Sequence, residues 1–126
     1  MDGNSNSLNW FEISVTDINR AKTFYEHVFG IEMQVMEMMG MHMAFFPWTP
    51  GNGKATGALV QGEMHKPSMD GAKIYLNADP DLTDALGRVE EAGGQIMMPK
   101  TQIDEFGFMA FFVDSEGNAV ALHSNR

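Results

Sequence analysis

The chain has 126 residues, a length that suits one domain with a core of useful size. Its formal charge of −9, with eight Lys and Arg scattered along it, argues against nucleic acid, whose phosphates require clustered basic groups. The absence of cysteine excludes a disulfide framework, a thiol nucleophile and a Cys-based zinc site, and no apolar run is long enough to suggest a transmembrane helix.

The acidic balance serves either solubility or the attraction of a cationic ligand. Twelve methionines are many for this length, and they suit irregular packing. Residues 1–7 are rich in Asn, Ser and Gly and have neither the apolar core nor the basic flank of a signal peptide, so they read as a disordered N-terminus of a cytoplasmic protein.

Asn9 to Val15 alternates, with Phe11, Ile13 and Val15 on one side and Trp10, Glu12 and Ser14 on the other, which predicts a half-buried strand. Asp17 caps a helix whose apolar positions Ala21, Phe24, Tyr25 and Val28 follow helical spacing, and Gly30 ends it. Ile31 to Glu37, Met41 to Trp48 and Ala55 to Gln61 supply three strands. Module one, residues 8–62, thus reads β-α-β-β-β. Residues 63–71 form a linker marked by Pro67, Ser68, Asp70 and Gly71.

Module two, residues 72–124, repeats the order. Lys73 to Ala78 is a strand, and Asp79 or Asp81 caps a helix that runs through Ala92 and is stopped by Gly93-Gly94. Gln95 to Met98, Phe108 to Val113 and Ala119 to His123 are the remaining strands. Pro99 to Gly107 is the longest irregular stretch of this half, and a polar loop of that length often covers a binding site.

The two modules also match residue by residue. Met43-Ala44-Phe45-Phe46 with Gly51-Asn52 recurs as Met109-Ala110-Phe111-Phe112 with Gly117-Asn118, a shift of 66, while Val15, Gly30 and Ala58-Leu59 recur at 63 as Ala78, Gly93 and Ala121-Leu122. Extra residues between Asn52 and Ala58 absorb the difference. Each half is too small to be stable alone, so the two should share a core or one curved sheet.

With two β-α-β-β-β modules, Val15-Thr16-Asp17 opening the first helix, the Phe24-Tyr25 pair, Gly30, and Asp114-Ser115-Glu116-Gly117-Asn118 before the last strand, the chain resembles the vicinal oxygen chelate superfamily. That group contains glyoxalase I, extradiol dioxygenases, fosfomycin-inactivating transferases and bleomycin-binding resistance proteins. The resemblance spans Leu8 to Ser124 and implies an α+β fold, a curved, barrel-like sheet with a cleft. It also implies a homodimer, because single-domain members commonly build their sites from two chains.

Metal-using members place His, Glu or Gln ligands early in the first strand and late in the last strand of each module. Carried onto this chain, those four positions are Trp10, Ala58, Lys73 and Ala121. Trp and Ala offer no lone pair to a divalent ion and a charged Lys repels one, so no metal is expected and a divalent cofactor is disfavoured. Glu12 and His123 lie two positions beyond Trp10 and Ala121, on the same strand faces, and are the candidate general base and its partner. If the family geometry holds they face one cavity with Trp10, Lys73 and Tyr75, with Phe46 and Trp48 at its rim. Lys73 could instead pair with Glu12. His27 suits the helix C-terminus, and His42 and His65 read as solvated. Neither a phosphate-cradling loop nor a serine nucleophile elbow is present.

The resemblance therefore implies, first, metal-independent binding of a small organic ligand, cationic or aromatic, after the manner of bleomycin-binding members. The alternative is a lyase, isomerase or dioxygenase-type enzyme acting at a shifted site around Glu12 and His123. An accessory module that contacts another protein is a third reading.

Overall fold

The computed structural model describes residues 1–126. The first module comprises β1 (Trp10–Ser14), α1 (Ile18–Phe29), β2 (Gln34–Met38), β3 (Met41–Phe45) and β4 (Thr56–Gln61). The second comprises β5 (Tyr75–Asn77), α2 (Thr83–Gly87), β6 (Gln95–Gln102), β7 (Phe108–Val113) and β8 (Ala119–Ser124).

Each boundary has a local cause. The Asp17 carboxylate accepts from the Arg20 backbone N–H, which satisfies an otherwise unpaired donor at the start of α1. Gly30 ends that helix at φ 64°, a left-handed conformation that costs glycine nothing. The β3 ladder closes with the Phe46 N–H on the Gly57 carbonyl, because Pro47 has no N–H to continue it.

The strands form two four-stranded sheets, β1-β4-β3-β2 and β5-β8-β7-β6, in place of one closed barrel. In both, the first strand runs parallel to the last and the other pairs are antiparallel. The register reproduces the internal repeat. Ala58 lies beside Glu12 and Phe45 in the first sheet, and Ala121 beside Tyr75 and Phe111 in the second.

The core lies on one face of each sheet and is shared. Ile13, Ala44 and Leu59 of the first module join Leu76, Ala110, Phe112 and Leu122 of the second in a single cluster of 20 buried residues. Helix α1 bridges the halves: Phe24 packs on Phe112 with ring centroids 5.9 Å apart, and the buried Tyr25 hydroxyl donates to Asp114 Oδ2 at 2.7 Å. Burial and the adjacent Asp114 charge both push the Tyr25 hydroxyl pKa well up, so it stays a donor.

The turn before β8 is a second tie. Asp114 Oδ1 accepts from the N–H groups of Glu116 and Asn118, and Asn118 Nδ2 donates to the Ser14 carbonyl at 2.8 Å. The Glu116 carboxylate accepts from the backbone of Thr16 and Asp17 and pairs with Arg20 at 2.7 Å. Its counterpart, the turn through Gly51 and Asn52, has the same positive φ at glycine, 78° against 90°, but no such carboxylates.

Helix α2 and strand β6 depart from the sequence reading. The second helix is regular only to Gly87, and the chain to Gly94 winds on through hydrogen bonds spanning three, four and, at Gly94, five residues. A glycine at that point weakens a continuous helix. Leu82, rather than either Asp, occupies its cap position, although Asp81 Oδ1 accepts from both the N–H and the hydroxyl of Thr83. Finally, the expected loop from Pro99 is mostly strand. β6 runs to Gln102 with register shifts between Ile96 and Thr101, which take up Pro99, and only a single 3-10 turn, Asp104–Phe106, separates it from β7.

Candidate functional site

The face of the first sheet that points away from the shared core carries Trp10, Glu12, Phe45, Ala58 and Val60, as strand alternation requires. Trp10 packs edge-on against Phe45 with centroids 5.8 Å apart, and its indole N–H donates to Glu12 Oε2 at 3.3 Å. Glu12 Oε1 meets His65 Nε2 at 2.7 Å. His65, which the sequence suggested was solvated, has a side chain only 17% exposed. Nothing in its linker position signals this. The turn Gly62 to His65, closed by the His65 N–H on the Gly62 carbonyl, folds it back over β1.

Beside Trp10 lies a cavity of ≈ 470 Å³, walled by Trp10, Phe45, Phe46, Pro47 and Trp48 and edged by Glu32, Gln34 and Thr56. The Trp48 ring is held by its indole N–H on the Lys54 carbonyl at 3.2 Å. Glu32 is the only charged residue in the lining. The sequence reading named Trp10 and Trp48 but missed Glu32 and Gln34, which reach the cavity only because β2 stands at the far edge of the same sheet.

The other expected site residues lie elsewhere. Tyr75, the second module's counterpart of Glu12, packs edge-on against Phe111 at 5.6 Å. His123 stands next to Asn77 in that sheet, and its Nε2 bonds the Phe106 carbonyl at 2.6 Å, so the structure couples Glu12 to His65 and not to His123. The Lys73 ammonium does not reach Glu12: it donates to the Met69 and Gly71 carbonyls at 2.6 and 3.2 Å and steadies the linker. His27, at the C-terminal end of α1, bonds Glu91 at 2.8 Å.

These contacts also test the metal positions that the resemblance implies. Ala58 and Ala121 are fully buried methyl groups, Trp10 is engaged as a donor, and Lys73 is a tethered cation. This donor set does not fit a divalent ion.

The family model for the Glyoxalase/Bleomycin resistance protein/Dioxygenase superfamily matches residues 7–122. The chain belongs to that superfamily. Among curated relatives it is 32% identical over 123 residues to the protein named "Putative glyoxylase CFP32" of Mycobacterium bovis, a match covering 94% of this chain and 46% of the relative. The same protein of Mycobacterium tuberculosis matches equally. Among solved structures, glyoxalase I from Zea mays superposes with a TM-score of 0.71 at 20% identity, over 94% of this chain and 46% of the maize chain. A glyoxalase/bleomycin resistance protein from Albidiferax ferrireducens T118 superposes at 0.69 and 13% identity, over 96% of this chain and 100% of the other. The chain thus spans about half the length of the curated relatives it matches. At these identities the structural likenesses establish the superfamily's fold and its paired modules.

Proposed function

We propose that this superfamily member binds a small organic cation with an aromatic part, without a divalent metal, in the cavity between Trp10 and Trp48. The observation that carries the reading is the lining: two indoles and Phe45 form aromatic walls, and Glu32 is the one charged edge, with no basic residue beside it. Aromatic faces and a carboxylate favour a cation that is shed of water, and ≈ 470 Å³ suits a compact organic molecule. The reading carries with it a cytoplasmic homodimer, for which light scattering of twice the chain mass is the check.

Tryptophan fluorescence tests the ligand class. Titration with aromatic quaternary ammonium compounds should give saturable quenching, about tenfold weaker in Trp48→Ala and weaker for the neutral isostere of each compound. Equal response to cation and isostere, or none to either, would overturn the proposal.

A second reading, a lyase, isomerase or dioxygenase-type enzyme, is favoured by the Glu12–His65 pair and by the likeness to the mycobacterial protein named "Putative glyoxylase CFP32". There Glu12, oriented by His65 and Trp10, is the base on a small carbonyl compound. Glu12→Gln should then abolish turnover in a protein that still folds, and His123→Ala tests the other residue of the shifted site. Turnover kept in both variants removes this reading.

A further inference from the structure

The hairpin of β2 and β3 places four thioethers on one face. Met36 stands opposite Met43 and Met38 opposite Met41, with Met39 and Gly40 at the turn. Methionine is ordinarily a core residue, yet Met36, Met38, Met39 and Met64 are 49%, 40%, 88% and 92% exposed. Met39, Met41 and Met64 converge on a cavity of ≈ 460 Å³ whose remaining lining is Gly40, Glu63 and His65.

His65 completes the set. Its Nε2 is occupied by Glu12, whose carboxylate can only accept, so Nε2 is the donor and, in the neutral imidazole, Nδ1 is left with the lone pair. Nδ1 is buried and has no hydrogen-bond partner, the one such side-chain atom in the molecule. Nδ1 and Met41 both approach Gly62: the point where Gly62 would carry a Cβ lies 3.3 Å from His65 Nδ1 and 3.5 Å from Met41 Sδ. An imidazole lone pair and a thioether thus converge on one spot over a residue with no side chain. A carboxylate holding the far nitrogen of an imidazole is the outer-shell arrangement that orients metal-bound histidines.

We propose that this corner is a binding site for a soft monovalent ion, Cu(I), held by His65 Nδ1, Met41 Sδ and a third thioether from Met39 or Met64. Thioethers select Cu(I) over oxygen-seeking ions, and imidazole serves copper equally well. The flexible Met41 side chain turns to admit the ion. Glu12 is a positioning residue here, acting through His65. The site shares no lining residue with the aromatic cavity, although Glu12 touches both His65 and Trp10.

The test is Cu(I) titration of the full chain under anaerobic conditions against a chromophoric Cu(I) chelator, with Ag(I) as a redox-inert probe read by methionine methyl NMR shifts. One equivalent should bind, with methyl shifts concentrated on Met41 and on Met39 or Met64. His65→Ala, Met41→Leu and the double variant Met39→Leu/Met64→Leu should each weaken binding at least tenfold, and Glu12→Gln roughly tenfold, as loss of an outer-shell partner does. Met97→Leu, an exposed methionine on β6, should bind as the parent does. Met41→Leu keeps the side-chain volume, so it separates ligand loss from misfolding, and circular dichroism confirms the fold of each variant. Failure to take Cu(I) from the chelator, or parent-like binding by both His65→Ala and Met41→Leu, would overturn the proposal.

Discussion

Glu116 shows how one carboxylate can hold two modules together. Its side chain is fully covered, and burial alone would raise its pKa; Arg20 and the N–H groups of Asp17 and Thr16 outweigh that and hold it at about 2, against an ordinary 4.5. A carboxyl lowered on folding contributes stability in full above its unfolded value and loses it as pH falls through the folded one. Melting temperature should therefore fall progressively between pH 4.5 and about 2. Glu116→Gln should flatten that acid limb and cost about 2 kcal/mol at neutral pH, roughly 7 °C in Tm for a chain of this size. A parent-like acid limb in the variant would assign the effect to other groups. At this same scale the sequence was least informative. Strand alternation and the family resemblance pointed to Trp10 on a cavity-facing side with Trp48 at the rim, and both line the cavity beside β1. Glu32 and His65 were not, because one depends on a strand three positions away in the sheet and the other on a linker turn whose geometry no short pattern encodes.

Among the elements, β1 and β4 approach each other closely at one glycine. Gly57 lies beside Phe11, and a Cβ there would collide with the Phe11 carbonyl and its ring. Gly57→Ala should cost roughly 1–3 kcal/mol, read as a lower urea midpoint, because the backbone of β1 must shift to admit the methyl. An unchanged midpoint would show that this strand pair yields more easily than its packing implies. Element order was readable throughout, since strand alternation and the Asp17 and Gly30 caps are local signals. The errors share a cause. Pro99 and the polar residues after it look like loop, but pairing with β7 draws them into β6 through bulges that only the partner strand dictates. Conversely, the apolar spacing of Leu82 to Val89 is helical and its burial is as expected, yet Gly87 breaks the regular hydrogen bonding.

For the molecule as a whole, the internal repeat predicted two equivalent modules that share a core or one curved sheet; the structure has the shared core beneath two sheets, and the registers Phe45–Ala58 and Phe111–Ala121 repeat. Because α1 packs on Phe112 and bonds Asp114, residues 1–66 expressed alone should show neither cooperative melting nor a native near-ultraviolet circular dichroism spectrum. A cooperatively folding fragment would mean that each module keeps a core of its own. The repeat is not perfect, and the imperfection is informative. Under the shift of 66 residues, Asp114 and Glu116, which fasten the halves, correspond to Trp48 and Pro50. One ancestral turn has thus come to two employments. The copy in the second module is bound to hold the fold, and substitution there is penalised at once. Its twin, freed from that duty, contributes an indole wall to the cavity and can change while the architecture stays fixed.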